Sequence, residues 1–358
     1  MVVRKDIVEL SIPFSAGIAA AAALDAAPDV IYMTACCCAC LSAAMILSCT
    51  VKSGFSKVML RLMFLPLGFL CGLTSRICGT GSVPPPPVAL QGLESLTGLI
   101  DRTDFHSEHT APLLKALLTG QRDSLGQDTI KAFRDSGASH ILALSGLHLG
   151  IIYACISSVL RILGKSRSAF IARSLLSIAM CSFYVMMTGA GPSIVRAFLF
   201  IVLNELSRLS PSRHKDPVAV LCTALMIQLC LSPTVISSVG FQLSYLAMLG
   251  IFLLFPVLRD WYPEGRKWDP VRKIWDSMAL SLSCQIMTAP VAWIHFHTFP
   301  EHFLLTNLIA LPLTEALMVC SVAALVLSGA GICPEFIKAP VDYLAGALIF
   351  CLDVIAGM

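Results

Sequence analysis

Charge is what this chain has little of. Asp, Glu, Lys and Arg make up 13% of its 358 residues, where an ordinary soluble domain carries roughly a quarter. That shortage excludes a water-soluble globular fold of the usual kind. Nucleotide-handling signatures are missing too: there is no G-x-x-x-x-G-K-[ST], no dinucleotide fingerprint and no kinase motif set. Whatever moves through or across this chain is not driven by an ATPase encoded in it. The hydrolase signatures H-E-x-x-H and G-x-S-x-G are also absent.

Apolar residues take the place of charge. They make up 56% of the chain and fall in runs near 10–25, 30–51, 57–78, 138–160, 174–189, 193–209, 217–231, 239–257, 276–297, 302–329 and 336–358. A helix needs about 20 such residues to cross a bilayer. The expected fold is therefore all-α: a polytopic integral membrane protein with about 10–11 transmembrane helices and amphipathic helices at its outer face. The first run follows Arg4 and Lys5, and no small-residue cleavage site leading into a soluble domain comes after it. It reads as a signal-anchor helix.

The 15 cysteines lie almost entirely inside these runs. Reduced cysteine is a small hydrophobe that lets helices approach closely. The cluster Cys36, Cys37, Cys38 and Cys40 has no paired histidines at zinc-site spacing. No metal site and no cofactor is expected.

Orientation follows from the basic residues. With the N-terminus inside, the inside segments hold Lys52, Lys57 and Arg61, then Arg161, Lys165, Arg167 and Arg173, then Arg208, Arg213 and Lys215, then Arg259, Arg266, Lys267, Arg272 and Lys273, and finally Lys338. The outside turns at 25–29, 190–192, 232–238 and 298–301 hold none. The expected organisation is an N-terminal three-helix membrane region (1–79), an outside linker with amphipathic helices (80–137) and a transmembrane domain (138–358). The linker opens on Pro84 to Pro87, a stiff extended stretch. Leu113, Leu114, Leu117 and Leu118 share one helix face. Leu125, Ile130 and Phe133 oppose Asp128, Lys131, Arg134 and Asp135 in an amphipathic helix that would lie along the outer surface and end at Gly137.

Polar residues at membrane depth are costly and tend to face a bundle interior or a water-filled cavity. The fourth run carries His140, Ser145 and His148 in the string SGASHILALSGLHLG. The sixth carries Arg196, Asn204 and Glu205, the eighth Gln242 and Ser244, the ninth Gln285, and the tenth Asn307 and Glu315. Ser145 and His148 are spaced to share a helix face, which admits a nucleophile and its base, pore lining, or plain helix packing. No orienting acid is identifiable, so no catalytic residue is assigned and the chain is not expected to be an enzyme. Zinc binding by His140, His148, His295 and His297 lacks any close-spaced helical pair to support it. Arg196 follows Pro192 by one helical turn, about 6 Å inside its helix end. There it can snorkel to water or set a positive potential at an outer opening. The stretch HFHTFPEH, His295 to His302, places Phe299 and Pro300 where a metallo-hydrolase pattern needs aspartate and histidine, and it reads as an aromatic interfacial turn.

Four stretches together resemble the ComEC family of competence membrane proteins: FRDSGASHILALSGLHLGI at 133–151, TGAGPSIVRAFLF at 188–200, SPTVISSVGFQLSYLAMLGI at 232–251 and TNLIALPLTE at 306–315. The strings S-H-x-x-A-x-S-G-L-H and P-S-x-x-R-A are the specific ones. The resemblance implies a channel that carries single-stranded DNA across the bacterial inner membrane during natural transformation. Its partners would be the DNA strand, the bilayer, and a cytoplasmic motor or DNA-binding proteins of the uptake machinery, with a homodimeric pore as one arrangement. Such a strand carries a charge at every nucleotide and needs an aqueous, partly cationic path with surfaces on which bases stack. The residues expected to line that path or touch DNA are His140, Ser145, His148, Arg196, Gln242, Tyr245, Gln285 and Asn307, with Phe241 and Phe296 as further stacking surfaces.

Two features of many family members are not matched. The region at 79–110 is too short for an outside OB-fold domain, and no metallo-β-lactamase-like motif follows the last run. A truncated member is one expectation that results. A small-molecule or lipid-linked transporter on the same scaffold is the other reading, with an intramembrane hydrolase using Ser145 and His148 behind it.

Overall fold

The computed structural model describes residues 2–23, 34, 55–78, 85–164, 166–209, 216–262, 269–297, 302–332 and 335–357. The expected second span (30–51) and the Cys36–Cys40 cluster lie outside the described residues. Every regular element among the described residues is helical, and the chain is an all-α polytopic membrane protein. The helices are α1 (Val2–Ala23), α2 (Phe55–Cys78), α3 (Pro87–Arg102), α4 (Thr110–Thr119), α5 (Gln127–Asp135), α6 (Ser139–Leu142) and α7 (Gly146–Leu160). They continue as α8 (Arg167–Met187), α9 (Pro192–Leu209), α10 (Pro217–Leu231), α11 (Val239–Leu253), α12 (Phe255–Arg259), α13 (Pro270–Phe296), α14 (Phe303–Gly329) and α15 (Glu335–Ala356). Five stretches, Gly146–Leu163, Arg167–Met187, Pro270–Phe296, Phe303–Gly329 and Glu335–Ala356, are long and apolar enough to cross a membrane. Ile7–Ala23, Arg61–Ser75, Pro217–Leu231 and Val239–Leu253 are shorter apolar helices.

Helix starts follow local chemistry. Asp216 stands before Pro217, and its carboxylate accepts the Val218 N–H at 3.1 Å. Asp269 stands before Pro270 and accepts the N–H groups of Val271 and Arg272 at 3.0 and 3.3 Å. An acceptor at the cap, followed by a residue that needs no donor partner, satisfies the first turn. Ser166 caps α8 through the Ala169 N–H at 3.1 Å. Gly120, left-handed at φ 79°, ends α4. Proline lies inside α1, α2, α13, α14 and α15, as neighbouring segments in membrane bundles allow.

The chain forms two compact units, one from Met1–Pro84 with Leu206–Phe252 and one from Pro85–Glu205 with Leu253–Met358. In the first, α1 and α2 meet backbone to backbone. A Cβ on Gly17 would run into the Leu65 carbonyl, and one on Gly68 into the Phe14 carbonyl. A Cβ on Gly72 would sit 2.7 Å from that of Ala21. Gly68 and Gly72, four apart on α2, meet Phe14 and Ala21 of α1, and Gly17 of α1 meets Leu65 and Phe69. This is the small-residue packing that membrane helices use in place of a hydrophobic driving force.

The second unit is built around α14 and α15. Their inner faces (Ala310, Leu317, Met318, Leu325, Val341, Ala345, Leu348, Leu352) close over the Leu113, Leu114, Leu117 and Leu118 face of α4 and over Phe133 of α5. The face expected from the leucine spacing is thus the buried one. The amphipathic helix expected beyond Leu125 is α5, with Ala132 and Phe133 buried and Asp128, Lys131, Arg134 and Asp135 exposed. Behind it, the Ser136 carbonyl accepts the Thr306 hydroxyl at 2.6 Å.

Candidate functional site

The span expected at 138–160 is broken. α6 ends at Ala143, which turns extended (φ −76°, ψ 128°). Ser145 is extended as well (φ −111°, ψ 168°), and α7 starts at Gly146. Serine at a helix start is ordinary N-cap chemistry, but here it opens a helix inside an apolar segment. Ser145 and His148 do come together, at the first and fourth positions of this cap. The contact differs from a nucleophile and its base: the Ser145 backbone N–H donates to His148 Nδ1 at 3.3 Å. That bond leaves the ring proton on Nε2, since Nδ1 must offer its lone pair. His148 is 1% exposed.

The first turn of α7 has backbone N–H groups with no intrahelical acceptor, and with them the positive end of a helix dipole. Arg196 of α9 stands beside it. A Cβ added to Gly146 would lie 3.2 Å from Arg196 Nη2 and 3.1 Å from Ala197 Cβ. A side chain at Gly146 would require the guanidinium or Ala197 to give by a few tenths of an ångström. Arg196 is 8% exposed, so it is enclosed by the bundle rather than extended to bulk water. Leu149, Cys181, Tyr184, Val185, Met187 and Ile194 form a buried apolar cluster, against which its chain neighbours Val195 and Ala197 pack. A guanidinium and a helix N-terminus stand together here, two groups that each favour anionic partners.

The other expected residues are placed as follows. His140, on α6, is exposed, with Nδ1 3.2 Å from the Gly137 carbonyl. The break at 143–145 lies between it and His148 in the chain. Gln285 is half-buried on α13. Asn307, next to Thr306 on α14, has a buried Oδ1 with no hydrogen-bond partner, an unmet acceptor of the kind native interiors seldom keep. Gln242 and Tyr245 belong to the first unit and take part in its internal bonds. Gln242 Nε2 donates to the Ile236 carbonyl at 2.9 Å, and the Tyr245 hydroxyl donates to Gln228 Oε1 at 2.9 Å. The Phe241 and Tyr245 rings lie 4.7 Å apart, both buried, while Phe296 is exposed.

Glu205 is among the deep polar residues of the sequence and outside the expected site. Glu205 is 3% exposed; its carboxylate accepts the Ser174 hydroxyl at 2.6 Å and the Tyr153 hydroxyl as well. The bonds join α7, α8 and α9. The signal in the sequence was the acid itself, since an ionisable residue at depth asks for a partner.

Residues 117–358 match the family described as Competence protein. "ComE operon protein 3" of Bacillus subtilis (strain 168) is 27% identical over 200 residues, covering 56% of this chain and 24% of that protein. "Uncharacterized protein YcaI" of Escherichia coli (strain K12) is 25% identical over 240 residues, covering 64% of this chain and 29% of that protein. The chain thus spans between 24% and 29% of the length of these relatives. No solved structure matches it.

Proposed function

Because this chain belongs to the competence protein family, we propose that it serves DNA uptake, as a conduit through which single-stranded DNA crosses the bacterial inner membrane in natural transformation. The observation that carries this reading is the buried Arg196 guanidinium beside the N-terminus of α7 at Gly146. A phosphodiester strand has no way through hydrocarbon, and the term that favours its binding is neutralisation of phosphate by fixed positive charge. Family membership supports a role in DNA uptake, and a buried cation at the start of α7 is in keeping with an anionic cargo.

On this reading the chain acts by passage, and the Ser145 backbone N–H on His148 Nδ1 is consistent with a packing role for that pair. Its N-terminus faces the cytoplasm, in keeping with the basic residues on the segments assigned inside. The strand would be pulled by a separate cytoplasmic motor or captured by DNA-binding proteins.

The test is transport of labelled DNA into the cytoplasm of a transformable host carrying Arg196→Ala at the native locus. We expect uptake to fall about tenfold, the equivalent of about 1.4 kcal/mol, with Arg196→Lys retaining part of it. Normal uptake by Arg196→Ala, with the variant present in the membrane at parental level, would overturn the reading.

A further inference from the structure

The segment preceding α6 is expected from the sequence to lie outside the membrane, and two of its helices are packed in a way that does not fit a surface position. α3 and α4 form a hairpin joined by residues 103–109. At the tip, the Thr103 hydroxyl donates to Ser328 Oγ at 3.0 Å, where α14 ends. The Asp342 carboxylate, near the start of α15, accepts the N–H groups of His106 and Ser107 at 3.0 and 3.4 Å and the Thr110 hydroxyl at 2.6 Å. The His106 ring lies 3.1 Å from Glu335 and 3.3 Å from Asp342. Lys338 Nζ donates to the Asp104 carbonyl at 3.4 Å.

The far end of the same segment is fixed at the opposite end of α14, where Thr306 bonds Ser136. From Thr306 to Ser328 a helix rises about 33 Å, and the hydrocarbon of a bilayer is about 30 Å thick. The open ends of both arms meet the C-terminal end of α8. A Cβ on Gly92 would lie 2.7 Å from the Phe183 ring, and the Tyr184 hydroxyl donates to the Leu118 carbonyl at 2.6 Å. An ion pair between Lys115 and Asp101 at 2.7 Å ties the arms near the tip.

α3 has two faces. Leu96, Leu99 and Ile100 turn into the core of the second unit. Gln91, Glu94, Ser95, Asp101 and Arg102 are exposed, at the three- and four-residue spacing of a single helix side. A carboxyl side chain such as that of Glu94 is costly to place against lipid tails, so at this depth it belongs beside water.

We propose that Pro87–Thr119 is a re-entrant hairpin: its tip reaches the membrane face opposite Ser136, and its Gln91–Glu94–Ser95 side lines a water-filled path. The hairpin enters and leaves on the same side, so the alternation of the later spans is unchanged. The proposal does not depend on what passes through the protein.

Cysteine accessibility in the full chain tests it, with the parent chain fixing the background from native thiols. Glu108→Cys at the tip and Asp123→Cys beyond α4 are both exposed positions, and Ile332→Cys marks the turn between α14 and α15. With an impermeant maleimide applied to spheroplasts or to inverted vesicles, Glu108→Cys should label from the same side as Ile332→Cys. Asp123→Cys should label from the other side. Glu94→Cys should react with a charged thiol reagent, while Leu175→Cys, an exposed apolar position on α8, should not. His109→Cys repeats the tip measurement should Glu108→Cys not accumulate. Tip and Asp123→Cys labelling from one side overturns the proposal, as does Glu94→Cys no more reactive than Leu175→Cys.

Discussion

Gly146 and His148 set the local terms on which Arg196 is held. Enlarging Gly146 to leucine fills the space at its Cβ, 3.2 Å from the guanidinium, and we expect uptake to fall as it does for Arg196→Ala, with the protein still in the membrane. Replacing His148 by leucine removes the acceptor of the Ser145 N–H, and an orphaned buried donor costs about 1–3 kcal/mol. The expected outcome is a lower midpoint of thermal unfolding in detergent, with His148→Asn nearer to the parent. An unchanged midpoint for the leucine variant would contradict the assigned bond. The sequence shows a serine and a histidine three apart and leaves their relation open. The break after Leu142 decides it, because a serine at a helix start meets the fourth residue through its backbone. Glu205 was legible as a deep acid but not as a bonded one. Tyr153 and Ser174 lie 52 and 31 positions away, and only the packing of three helices brings them to it.

At the scale of helices, the packing of α1 on α2 rests on glycines. Gly68→Leu forces a side chain into the Phe14 backbone, and overpacking of this kind costs about 1–3 kcal/mol. Lower thermal stability is expected, while leucine at Gly98, which has nothing within 4 Å of its Cβ, serves as the tolerant control. Asp342→Ala removes the acceptor that holds two backbone N–H groups and a hydroxyl of the hairpin tip. Limited proteolysis near 103–109 should become faster in this variant; an unchanged rate would show that the tip is held by other contacts. Helix starts such as Asp216-Pro217 and Asp269-Pro270 depend on adjacent residues alone. The depth of α3 does not. At about 24 Å it is shorter than a spanning helix, and Gln91 and Glu94 keep it from reading as a membrane segment.

For the whole molecule, the shortage of charge and the apolar runs identify an all-α polytopic membrane protein, since a bilayer demands long apolar helices almost regardless of detail. The grouping of helices into two compact units, the second made from residues far apart in the chain, depends on tertiary contacts that no periodicity records. The central claim, that this chain is a path for single-stranded DNA, is tested most directly by deleting its gene in a transformable host and following labelled DNA. We expect label to bind the cell surface as before while label in the cytoplasm drops to background, and to return with the parental gene but not with Arg196→Ala. Label reaching the cytoplasm of the deletion strain at the parental level would contradict it.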